Sequence, residues 1–240
     1  MLISHRKRFI YTKTVKTAGT SIESYFEKFC MPEGSWLQQH HRETYISDTG
    51  IIGYRGQKGS QKNLWYNHMS AARIKKQVSD EVWNDYFKFC VIRDPFDKAV
   101  STFYHVKRGQ ESRNLQLQKP SLKNRLSNFL FPTPEFSHIS QEFEHWLIHK
   151  VMPVDRDKYI IDSNFCLDGV IRYENLIRDT EKICNRLDIE FDPSLLPNLK
   201  IGKRDASVTL SEIYTPKSIK IISDLYAYEI KHFGYEPPTL

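Results

Sequence analysis

The chain has little that would cross-link it or hold a metal. It has four cysteines, Cys30, Cys90, Cys166 and Cys184. None is in C-x-x-C spacing and none belongs to a Cys/His cluster, which excludes zinc fingers and ribbons, and no metal is expected. Cys90 and Cys166 lie in apolar runs and read as buried thiols of a reducing compartment, although four cysteines are enough to pair. No run of eighteen apolar residues occurs, and the opening Met-Leu-Ile-Ser-His-Arg-Lys-Arg has no apolar core. The chain as it stands is therefore expected to be cytoplasmic, with no transmembrane segment. Glycine is sparse, 10 in 240 residues. None of it builds G-x-x-x-x-G-K-[ST], so a Walker A loop is excluded. Internal repeats and Gly/Ser linkers are also lacking, and the length suits one domain over residues 1–240.

Apolar residues make up 40% and aromatics 13% of the chain, which places it among globular proteins. Lys and Arg outnumber Asp and Glu by 35 to 29, a net +6 that favours anionic ligands without demanding one. Strand-like runs (9–14, 51–54, 86–92, 159–161, 169–173) alternate with amphipathic helical ones (20–29, 71–78, 79–85, 95–107, 122–130, 139–150, 174–187 and a last helix from Pro216 to before Gly234). This order predicts an α/β fold with a central parallel sheet flanked by helices, whose ligands bind beyond the strand C-termini. Residues 31–64 and 108–138 read as surface excursions.

The stretch Phe9 to Phe26 organises the rest. Phe9, Ile10 and Tyr11 suit a half-buried strand. Lys16-Thr-Ala-Gly-Thr-Ser21 is a small polar turn, and Ile22, Tyr25, Phe26 and Phe29 then fall at helical spacing. The helix is expected to start near Thr20 or Ser21; an ordinary strand–turn–helix capped by Thr20 or Ser21 is the other reading of this segment. Such a strand–turn–helix is a P-loop-like phosphate site: backbone N–H groups of Thr17, Ala18, Gly19, Thr20 and Ser21 and the helix dipole attract an anion, and Lys16 adds charge. A second anion motif ends the apolar run Phe89-Cys-Val-Ile-Arg-Asp-Pro. Asp94 caps a helix that Pro95 opens. Ser101, eight residues after Arg93, lies two turns into that helix, where an arginine fork and a hydroxyl can share a phosphate. His68 precedes the N-cap Ser70 and is the candidate general base, since an imidazole accepts a proton near neutral pH.

Lys16 to Ser21 resembles the 5′-phosphosulfate loop of sulfotransferases that use 3′-phosphoadenosine 5′-phosphosulfate (PAPS). Phe89 to Tyr104 is similar to their 3′-phosphate motif, in the same order and at similar spacing. His68-Met-Ser-Ala-Ala, Val170-Ile-Arg-Tyr-Glu-Asn-Leu176 and the ending Tyr226-x-x-Glu-x-x-x-Phe-Gly-Tyr235 resemble the carbohydrate-type members, the heparan sulfate 2-O-sulfotransferase-like sulfotransferase family 2. Val15 departs from the pattern, standing where a proline is common. The resemblance implies PAPS as donor, 3′,5′-ADP as product, no metal, and a hydroxyl acceptor, a glycan for the carbohydrate type. It also implies that Lys16 neutralises the leaving oxygen and that Lys203 and Arg204 cover the nucleotide. Glu174 is the second candidate base. Two other readings stay open. One is a nucleotide-dependent small-molecule kinase with a degenerate phosphate loop. The other is a basic nucleic-acid-binding module, for which no recognised motif is present. The oligomeric state is not legible.

Overall fold

The structure is a computed structural model and describes residues 1–56, 63–116, 136–196 and 209–240. The helix expected at 122–130 and the basic pair Lys203 and Arg204 lie outside the described residues. The chain divides into two compact units, one of residues 1–93 and 153–201, the other of 94–152 and 202–240.

The first unit carries a six-stranded sheet. Its strands are β1 (Leu2–Ser4), β2 (Phe9–Thr12), β3 (Tyr45–Ser47), β4 (Gly50–Ile52), β5 (Phe87–Ile92) and β8 (Gly169–Arg172), in the order β3-β4-β1-β2-β5-β8. The α/β architecture is as expected. The sheet is mixed: β2, β5 and β8 run parallel and form its core, whereas β1, β4 and β3 extend it antiparallel. The 31–64 stretch, read as an excursion, supplies two of those added strands. Of the two, β4 falls in the run expected at 51–54, whereas three-residue β3 is too short to show a period of two. A Cβ on Gly50 would come within 2.3 Å of the Ile3 carbonyl oxygen, so only glycine lets β4 approach β1 there.

Both faces of this sheet are covered, which suits its parallel core. On one face α1 (Gly19–Glu27) and α6 (Leu176–Arg186) pack Ile22, Phe26 and Ile183 against Phe9, Tyr11, Phe89 and Ile171. Phe9, Phe26 and Phe89 meet edge to face, with centroids 5.1–5.7 Å apart. On the other face α2 (Ala71–Lys75) and α3 (Asp80–Asp85) bring Ile74 and Trp83 to Ile3, Ile10 and Ile51. Ser70 caps α2 as expected, its side chain accepting from the Arg73 N–H. A two-stranded ribbon, β6 (Ile160–Ile161) and β7 (Asn164–Phe165), completes this unit.

The second unit is helical: α4 (Pro95–Gln116), α5 (Ile139–His149), α7 (Leu210–Ile213), α8 (Pro216–Leu225) and α9 (Ala227–Phe233). Asp94 starts α4, its carboxylate accepting from the Phe96 N–H at 2.8 Å. The helix runs nine residues past the expected end at Lys107, through Gly109, which costs a helix only about 1 kcal/mol. Its core is aromatic: Phe103 meets Phe143 at 5.3 Å, and Phe143 meets Tyr214 at 5.1 Å. The last helix, expected as one, breaks at Tyr226, whose backbone leaves the helical region (φ −107, ψ 26). Its ring is buried with the Lys98 ammonium 5.4 Å from the centroid, so packing overrides propensity there.

Candidate active site

The parallel strands β2, β5 and β8 end side by side, with Thr12 beside Cys90 and Ile92 beside Arg172. Whatever follows each strand therefore emerges at one edge. After β2 come Lys13 and the 16–21 turn, after β5 comes Arg93, and after β8 comes Tyr173. Arg93 Nη1 donates to the Lys16 carbonyl oxygen at 2.8 Å, and its guanidinium lies 3.9 Å from the Tyr173 ring centroid. The two distant anion motifs thus meet at Arg93 and Lys16.

The turn is strained and braced. Lys16 (φ 62) and Ala18 (φ 56) are left-handed, as is His68 (φ 58), three of the seven such non-glycine residues among the described ones. Each left-handed residue costs about 1–3 kcal/mol, and such strain clusters where a backbone is held for a ligand. The Thr14 and Thr17 hydroxyls share a hydrogen bond of 2.7 Å, and the Val15 N–H donates to the Asp155 carboxylate at 3.0 Å. A proline at position 15 has no hydrogen to give, so the departure from the family pattern is used by this structure. A Cβ on Gly19 would press within 3.1 Å of Lys13 Cγ and 3.2 Å of the Thr14 carbonyl oxygen, so glycine lets the turn close.

The helix starts next to the expected position, without a Thr20 or Ser21 side-chain cap. It begins at Gly19, and left-handed Ala18 turns its carbonyl onto the Ser21 and Ile22 N–H groups at 2.9 and 3.2 Å. The Thr20 hydroxyl instead accepts from Lys13 Nζ at 3.3 Å. The Ser21 N–H is thereby withdrawn from the anion set expected over residues 17–21, and the Thr17 side chain is buried.

Beneath the turn lies a network that no sequence motif announced. Lys13 Nζ bonds Glu23 Oε2 at 2.6 Å, and Arg55 Nη1 bonds the same oxygen at 2.8 Å. Arg55 also bonds Glu27 Oε1, whose other oxygen accepts from Arg42 Nε at 3.1 Å. Glu23 and Glu27 are wholly buried. Burial alone would raise the Glu23 carboxyl, but the Lys13 ammonium and the Arg55 guanidinium hold it well below the usual carboxylate range. Burial in turn lowers the Lys13 ammonium, and Glu23 opposes that shift. Glu23 and Glu27 stand four apart on α1, a spacing that reads as a solvated face.

His68 is tied to the same place. Its Nδ1 lies 3.1 Å from the Lys13 carbonyl oxygen. A carbonyl only accepts, so Nδ1 carries the proton and Nε2 keeps the lone pair. Burial, and then the Lys13 charge, push the imidazole down to about 4. At neutral pH the ring is uncharged and able to take a proton. Glu174, the other candidate base, is exposed on the short turn after β8. Ser101 is half-buried on α4, in the other unit.

Among the described residues no group of three His, Cys, Asp or Glu side chains is placed to hold a metal. None of the four cysteines is in a disulfide, and no described helix is long and apolar enough to cross a membrane. Compared with known proteins, the chain matches the profile of the sulfotransferase family over residues 1–236. No curated protein and no solved structure matches it.

Proposed function

The chain belongs to the sulfotransferase family, and from that premise we propose that it moves a sulfuryl group from PAPS to a hydroxyl of a carbohydrate. The observation that carries this reading is the 2.8 Å bond from Arg93 to the Lys16 carbonyl, which puts two anion-binding motifs 77 residues apart in one place. A nucleotide with phosphate at both its 3′ and 5′ ends needs two such grips, and the residues present fit it. Arg93 takes the 3′-phosphate, and Ser101 is proposed from the sequence motif alone to share it. The N–H groups of Thr17, Ala18, Gly19 and Thr20 and the α1 dipole take the 5′ group. Lys203 and Arg204 are proposed to close over the nucleotide.

PAPS supplies an already activated sulfuryl group. His68 Nε2 removes the proton of the acceptor hydroxyl while its oxygen bonds to sulfur. The bond from sulfur to the phosphate oxygen breaks in line with that attack, and Lys16 neutralises the charge left on the phosphate. The Lys13 carbonyl keeps His68 in the working tautomer throughout. A sulfuryl group carries less charge than a phosphoryl group, so lysine and a helix terminus suffice without a metal. Four cysteines outside any disulfide suit a reducing compartment.

The test is a thermal melt with 3′,5′-ADP. At one hundred times its Kd a ligand stabilises the folded state by about 2.7 kcal/mol. Wild type should show that rise in Tm and the Arg93→Ala variant should lose it. A shift that survives in Arg93→Ala would remove the 3′-phosphate assignment, and no shift in wild type would remove the donor.

A further inference from the structure

We propose that His145 and His149, at the C-terminal end of α5, together bind one divalent late transition-metal ion: zinc, nickel or copper(II). His145 is half-buried and His149 exposed, and both belong to the helical unit. Lys16, His68 and Arg93, to which sulfuryl transfer is assigned, belong to the other unit. The metal site therefore stands or falls independently of that reaction.

Residues four apart on a helix share one face, so both imidazoles project from the same side of α5. Their rings have come together, with centroids 4.1 Å apart and planes 32° from parallel. His149 Nδ1 lies 2.8 Å from the His145 carbonyl oxygen. A carbonyl only accepts, so Nδ1 carries the proton and Nε2 keeps its lone pair. Metal-ligating histidines commonly donate their second N–H in this way, which fixes the tautomer and aims the ring. The His145 ring also packs on Phe136, with centroids 5.2 Å apart. Histidine has a soft second torsion, so a small rotation brings one nitrogen of each ring onto a single ion.

The surroundings favour a cation. The pair sits in the last turns of α5, at the negative end of the helix dipole. The Lys107 ammonium is engaged by Glu142 at 2.6 Å, one turn before His145. Lys150 follows the helix fully in solvent, where its long stem keeps the charge away from the rings. Imidazole nitrogen suits zinc, copper and nickel, whereas magnesium and calcium take oxygen ligands. Structural zinc has four protein ligands and catalytic zinc three. Two imidazoles with water completing the shell make an exchangeable site, consistent with the lack of any three-ligand group among the described residues. A bound ion clips the last turns of α5 together and stabilises the folded chain by mass action.

The experiment titrates the full chain, free of any affinity tag, with zinc chloride in a calorimeter and with copper(II) chloride under electron paramagnetic resonance. It is run on wild type, His145→Ala, His149→Gln and the control His41→Ala, which removes an exposed histidine of the other unit. Zinc should bind wild type and raise its Tm. Each α5 variant should weaken zinc binding by about tenfold or more, the loss of one of two ligands. The control should bind as wild type does. The copper spectrum should show two imidazole nitrogens in wild type and in the control, and one in either α5 variant. Magnesium chloride should produce none of these signals. Absence of zinc binding in wild type overturns the site, as does an affinity that the α5 variants leave unmoved. A nitrogen count that is the same in wild type and the α5 variants, or a loss in His41→Ala as large as theirs, overturns it equally.

Discussion

At the residue scale, His68 owes its role to two features of one neighbour. The Lys13 carbonyl fixes the tautomer, and the Lys13 ammonium helps burial to lower the imidazole to about 4. Replacing Lys13 by Met keeps the carbonyl and removes the charge. The acid limb of the kcat profile should then move to higher pH, and a limb that stays put would clear His68 as the base. Replacing His68 by Ala should leave the 3′,5′-ADP shift in place and abolish sulfate transfer. Retained turnover in that variant would point to another base. Lysine at 13 and glutamate at 23 carry no recognisable motif, and only their burial together gives them meaning.

At the element scale, the turn between β2 and α1 is held where a rigid family residue is missing. Asp155, almost fully buried, accepts from the Val15 N–H and so constrains the turn from another segment of the same unit. Asp155→Ala leaves that N–H without its acceptor, at a cost of about 1–3 kcal/mol. The titration of 3′,5′-ADP should show weaker binding to match, by about tenfold for each 1.4 kcal/mol that falls on the bound turn. Unaltered affinity would show that the turn keeps its shape without this bond. Glycine at 19 belongs to the same device. Its place in the small polar turn was legible, whereas the left-handed start at Ala18 was not. Local preference favours a Thr or Ser cap, and the Lys13 ammonium has taken the Thr20 hydroxyl instead.

At the scale of the whole molecule, the buried network and His68 make stability depend on pH in one direction. In the unfolded chain His68 binds a proton near 6.5, but in the folded protein near 4. Between these values the unfolded state holds more protons, so stability falls as pH falls from about 6.5 to 4. Glu23, depressed when folded, adds stability that is present above its ordinary value and is lost on further acidification. Tm should therefore drop from pH 7 to pH 5, and His68→Gln should flatten most of that drop. An equal drop in the variant would place its cause elsewhere. Glu23→Ala strands Lys13 and Arg55 together and should cost about 3–5 kcal/mol in denaturant unfolding. A loss under 1 kcal/mol would mean that water already reaches the pair.

The sequence by itself determined the α/β class, the parallel core strands, the turn at Lys16 and the arginine after β5. Each of these is written in contiguous residues: an apolar run, a small polar hexapeptide, a capping Asp before Pro. Tertiary structure alone decided that β1, β3 and β4 extend the sheet antiparallel, that Glu23 and Glu27 turn inward, and that Asp155, Tyr173 and Arg55 reach the site. Those outcomes depend on partners distant along the chain, and a charged or three-residue segment carries no periodic signal of which partner it will meet. The meeting of Arg93 with Lys16 is both kinds at once. Two local motifs named the participants, and the parallel register of β2 with β5 brought them within a hydrogen bond.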